Sequence, residues 1–140
     1  MRLTKHTDYS LRVLMYLAMK PDELQTIPDL SQRFNVSRNH LMKIVNRLAK
    51  LGYIDAQRGR GGGLRLAKPK ESIRVGAIVS DMEPTLDVID CGADGGCPYL
   101  PACKLKHALK DASRAFIRTL DDVTLADLVS NEKQLIKLFD

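Results

Sequence analysis

Apolar residues recur at helical spacing through the first fifty positions. Leu11, Leu14, Met15 and Ala18 share one face of a helix expected over about residues 6–19, which Pro21 ends. Thr26-x-x-Asp29 has the form of a capping box, and Pro28 suits a first turn, so a short helix is predicted over 27–34. After the tight turn at Asn35-Val36, Ser37 is a good N-cap for a third helix. There Leu41, Ile44, Val45 and Leu48 form one stripe, and Gly52 stands where a glycine commonly follows a helix end. Tyr53–Gln57 and Leu64–Ala67 read as two short strands joined by the glycine-rich run Arg58–Gly63. Ser72 is expected to cap a helix carrying Ile73, Ala77, Ile78 and Met82, which stops before Pro84 and returns to pack on the first domain. Leu105, Ala108, Leu109, Ala112, Phe116 and Leu120 mark a long helix with Pro101 in its first turn, and Thr124-x-x-Asp127 caps a last short one. The fold class expected is mainly α with a small β-hairpin: a winged helix-turn-helix domain over 1–83, a loop over 84–103, and a long dimerisation helix with a C-terminal helical segment over 104–140.

Composition narrows the use of this fold. The chain has 140 residues, 44% apolar and 28% charged, which suits one domain with an appendage. Its longest uninterrupted apolar run, Val13–Met19, is far short of the roughly 20 residues that a membrane-spanning helix needs. Asp8 and Arg12 interrupt the stretch where a secretory signal would hold its apolar core, so a cytoplasmic location is expected. Charge is unevenly divided: residues 1–70 carry 14 Lys/Arg against 5 Asp/Glu, net +9, while residues 71–140 carry 8 against 12, net −4. A basic half suits a polyanion, because each phosphate neutralised releases condensed counterions.

The basic residues also sit in a particular place. Opposite the apolar stripe of the third helix lie Arg38, Asn39, Lys43, Arg47 and Lys50, with no acid between Ser37 and Lys50. Ser37 and His40 stand at the start of the same helix. Arg58 and Arg60 decorate the tip of the hairpin, whose glycines give a thin profile able to enter a minor groove. Taken singly, a basic helix is a solvated face and a glycine-rich hairpin is a turn. In this order, on the basic half, they read as a double-stranded DNA interface: Ser37, Arg38, Asn39, His40, Lys43 and Arg47 on the recognition helix, Arg58 and Arg60 on the wing. A pseudo-palindromic operator calls for a two-fold dimer, and the apolar stripe of the long helix is its expected interface. No nucleophile–base pair, phosphate loop or paired carboxylates can be placed on an element, so an enzyme is not expected.

All three cysteines fall in one array, Cys91-x5-Cys97-x5-Cys103, among Gly92, Gly95, Gly96, Pro98 and Pro101. Structural cysteines usually lie among aliphatic residues on helices or strands, which does not describe this loop. A redox pair would want Cys-x-x-Cys and a zinc ribbon would want paired short spacings; neither is present. Thiolates among glycines suit an iron–sulfur cluster, and Cys103 at the start of the long helix would place an anionic cluster at a positive dipole end. Three thiolates leave one coordination position, for which water, Asp90, Asp94, His107 and Asp8 are candidates.

Several blocks of the chain resemble the NsrR-type nitric-oxide-sensitive repressors. They are Met1–Arg12, Val36–Leu48, Arg58–Leu66, the three-cysteine array, Pro101–Lys106 and Leu120–Leu128, spread along nearly the whole chain. The resemblance implies a homodimer that holds operator DNA while an iron–sulfur cluster is intact and releases it when nitric oxide attacks the cluster. One [2Fe-2S] or [4Fe-4S] cluster per subunit is implied, with Cys91, Cys97, Cys103 and Asp8 of the partner subunit as its ligands. Related iron–sulfur assembly regulators use a histidine three residues after the third cysteine, whereas His107 is four beyond Cys103. The alternatives are an iron–sulfur assembly or iron-responsive regulator of the same fold, and a constitutive DNA-binding protein stapled by zinc.

Overall fold

The computed structural model describes residues 2–92 and 96–139. Helix α1 spans Lys5–Met19, α2 Ile27–Phe34 and α3 Arg38–Lys50; strands β1 (Ile54–Gln57) and β2 (Gly63–Leu66) come next, then α4 (Val75–Met82), α5 (Lys104–Asp121), α6 (Leu125–Leu128) and α7 (Glu132–Lys137). The architecture is a mainly helical winged helix-turn-helix unit from which the long α5 departs.

Local chemistry accounts for the first elements. The side chains of Thr4, Thr26 and Ser37 cap α1, α2 and α3 by accepting from Thr7 N, Asp29 N and His40 N. Asn35 ends α2 in the left-handed conformation (φ 50°), which a short polar side chain tolerates, and this sharp reversal sets α3 across α2. The hairpin pairs antiparallel with Ile54 opposite Leu66 and Ala56 opposite Leu64. Gln25, in the loop before α2, bridges to β2 from its other edge by exchanging two backbone hydrogen bonds with Leu64, 3.0 and 2.7 Å. Val13, Leu14, Leu17, Leu30, Leu41, Ile44, Leu48 and Ile78 make the centre of the core.

Two expectations are corrected. Ser72 does not cap α4; its hydroxyl donates to Pro69 O at 2.8 Å within a 3-10 turn over Lys70–Ser72, and α4 begins at Val75. Ile73 and Arg74 are instead held extended by the chain's far end, through Leu125 N to Ile73 O (2.8 Å) and Val75 N to Val123 O (2.9 Å). Pro101 likewise lies in a separate 3-10 turn, Leu100–Ala102, ahead of α5.

That far end is part of the winged unit. Leu125 and Val129 are buried in the core, and Phe139, after α7, packs edge-on against Tyr16 (5.2 Å between ring centroids) and Phe34 (5.7 Å). Only α5 projects. No residue along its 18 positions is fully buried, and Leu105, Ala108 and Ala112 lie exposed. Its C-terminal turns cross α4 at Gly76, where a Cβ would lie 2.7 Å from Ile117 O.

Candidate functional site

The outer face of α3 is set by its inner one. Burial of Leu41, Ile44, Val45 and Leu48 leaves Arg38, Asn39, Met42, Lys43, Asn46 and Lys50 exposed on the other side. Two residues expected on this face also contact the rest of the chain, His40 half-buried and Arg47 exposed. His40 is half-buried against the edge of Tyr9, with centroids 5.6 Å apart, and near His6 at 6.2 Å. Arg47 donates through Nη2 to Asp81 O at 3.2 Å. Burial, followed by repulsion from His40 and Arg47, holds the His6 imidazole below the ordinary histidine value. Met42 and Asn46 share the exposed face but escape a search for charged donors; helical register alone marks them.

Arg58 and Arg60 are exposed at the wing tip. Gly59 (φ 93°) and Gly61 (φ 75°) turn the chain there, and Gly62 donates to Gly59 O at 3.0 Å. A Cβ on Gly62 would collide with the carbonyl of Gln57, so this tip needs glycine to close.

The end of α4, which leads into the cysteine segment, is tied to α3, to Tyr53 and to the start of α1. Tyr53 donates its hydroxyl to Asp81 Oδ2 at 2.6 Å, beside the Arg47 contact. Glu83 Oε1 accepts from Thr4 N (2.7 Å) and Thr4 Oγ1 (3.1 Å), clasping the start of α1. Cys91 comes only eight residues after Glu83.

Cys91, Cys97 and Cys103 line one surface hollow of about 640 Å³, walled by apolar groups including Ile89, Pro98, Leu100 and Leu105. Cys103 is the N-cap of α5, its Sγ accepting from Lys106 N at 3.4 Å. Among the described residues no three Cys, His, Asp or Glu side chains converge closely enough to hold a metal ion. The donor set still suits a soft metal group: three thiols share one apolar concavity and one stands at a helix N-terminus. The candidates for a fourth ligand are dispersed. Asp8 pairs with Arg12 through Oδ2 to Nη2 at 2.8 Å and Oδ1 to Nε at 3.0 Å. Asp90 accepts from Gly92 N at 2.9 Å, His107 is exposed on α5, and Asp94 lies outside the described residues.

A family model, Rrf2, described as an iron-dependent transcriptional regulator, matches residues 3–131. The chain belongs to the Rrf2 family. Among characterised Rrf2 relatives, it is 43% identical over 141 residues to the HTH-type transcriptional regulator NsrR of Bacillus subtilis (strain 168), covering 99% of this chain and 97% of that one. Of solved structures, CymR (YrzC), the global cysteine regulator of B. subtilis, is 26% identical with a TM-score of 0.70, covering 94% of this chain and 98% of that chain. T. potens IscR shares the fold, with a TM-score of 0.76 at 20% identity over 96% of this chain and 90% of that one. This Rrf2 protein is therefore a winged-helix transcriptional regulator and not an enzyme. Among the described residues no helix is long and apolar enough to cross a membrane.

Proposed function

We propose that this Rrf2 regulator is a cytoplasmic, homodimeric repressor whose hold on double-stranded operator DNA responds to nitric oxide through an iron–sulfur cluster, one per subunit. Ser37, Arg38, Asn39, His40, Lys43 and Arg47 serve the major groove, while Arg58 and Arg60 serve the adjacent minor groove. Cys91, Cys97 and Cys103 hold the cluster, and Asp8 of the partner subunit is its fourth ligand. The observation that carries the reading is the shared hollow: every thiol of the chain lines it, in the segment between α4 and α5.

When bound, such a cluster supplies an iron whose weak non-thiolate ligand leaves it open to a small neutral molecule. The chain's own residues connect that hollow to DNA. Asp81 ties the end of α4 to Tyr53 and Arg47, and Glu83 ties it to the start of α1, four residues before Asp8. To ligate, Asp8 exchanges its ion pair with Arg12, which rests over the Tyr9 ring at 5.3 Å, and Tyr9 touches His40 on α3. A 100-fold change in DNA affinity requires only about 2.7 kcal/mol of coupling.

Anaerobic purification followed by iron and sulfide analysis and a visible spectrum tests the cluster. Release of bound operator by nitric oxide but not by an iron chelator supports the reading. Release by the chelator alone makes the signal iron supply, the reading that the family's description as iron-dependent favours. Colourless protein containing zinc overturns the cluster altogether.

A further inference from the structure

Among the large apolar side chains of α3, Met42 stands apart. Leu41, Ile44, Val45 and Leu48 are at most 3% exposed, whereas Met42 is 46% exposed. It lies on the outward face, one turn after Arg38 and Asn39 and one turn before Asn46, beside Lys43. The helix carries no acid to repel a duplex. A thioether there takes no part in the core, yet it occupies the middle of the surface that would meet the groove floor.

The major groove shows only one apolar group on its bases, the C5 methyl of thymine. A flexible, polarizable methionine adapts to such a methyl, and asparagine amides on either side match the donor–acceptor pair that adenine presents in the same groove. We propose that Met42 is a specificity-determining residue that covers a thymine methyl in each operator half-site, flanked by amide contacts to adenine from Asn39 or Asn46. The proposal deepens the DNA-binding reading and rests on α3 entering the major groove.

The test begins with duplexes enriched from a random library by the full-length, anaerobically prepared protein. In the enriched duplex each thymine is replaced in turn by deoxyuridine, symmetrically in both half-sites, which removes only the methyl. At one thymine per half-site the wild-type protein loses about fourfold in affinity per half-site, the worth of one buried methyl. Met42→Ala binds the thymine and uracil duplexes equally at that position and matches wild type at all others, while Met42→Leu keeps the preference. Identical uracil profiles for wild type and Met42→Ala, or no thymine whose methyl matters, overturn the assignment. A wild-type protein that enriches no duplex overturns the DNA-binding reading itself.

Discussion

Tyr53 is buried beneath Lys68, whose ammonium lies 5.0 Å from the ring centroid, and its hydroxyl meets Asp81. Burial first, and then the hydrogen bond donated to the Asp81 carboxylate, push its phenol above the ordinary tyrosine value. The folded state therefore holds this proton more tightly than the unfolded chain does. The resulting stability is complete below about pH 10 and is lost as pH rises further. Tyr53→Phe is expected to cost about 1 kcal/mol at neutral pH and to flatten the alkaline fall. Urea denaturation at pH 7 and pH 10.5 measures both, and an alkaline fall as steep as wild type would contradict the assignment. Nothing near Tyr53 in the sequence announces this bond, because its partner lies 28 positions away. The same holds for Arg47, whose carbonyl acceptor belongs to Asp81, and for His40, whose neighbours belong to α1. Periodicity shows which residues of a helix face outward, and only tertiary packing decides which of them remain free.

The boundaries of α1, α2 and α3 are legible in the sequence because caps and apolar stripes agree there. Thr26, for example, bonds Asp29 both as backbone acceptor and through its hydroxyl at 2.6 Å. The start of α4 is not, because Ser72 has cap chemistry while Ile73 and Arg74 are drawn straight by the segment after α5. Helix α7 has six residues and no side-chain cap bond, so it gives no local signal; the packing of Phe139 on Tyr16 and Phe34 is what holds it. Gln25 gives none either, since a single bridge has no alternation to detect. The crossing of α4 and α5 depends on the missing side chain of Gly76, beside the Asp121 carboxylate and Ile117 O. Gly76→Ala is expected to wedge the two helices apart at a cost of about 1–3 kcal/mol, the usual range for overpacking. Chemical denaturation reads this loss, and an unchanged midpoint would show that the crossing has slack.

Across the whole molecule, the division of charge and the uncovered face of α5 point to two different partners. For DNA, Arg38→Ala and Lys43→Ala are each expected to weaken operator binding and to reduce the slope of log affinity against log salt by about one. Arg60→Ala mainly costs sequence preference, and binding isotherms over a salt series separate these outcomes. Unaltered affinity in all three would remove the winged reading head. The other proposed partner is a second copy of the chain. Leu105, Ala108 and Ala112 are exposed on one face of α5, continuous with half-buried Leu109 and Phe116. A C2 interface is self-complementary, so a charge placed near its centre meets its own copy or is stripped of water. Ala112 is exposed within the single chain, so Ala112→Glu is expected to leave the fold of each winged unit intact, which circular dichroism checks. Sedimentation is then expected to report a dimer for the wild type and a monomer for the variant. Operator affinity falls with it, because each half-site must be bound without the effective concentration that its twin supplies. A dimeric Ala112→Glu protein with native DNA binding would place the two-fold contact on some surface other than this helix.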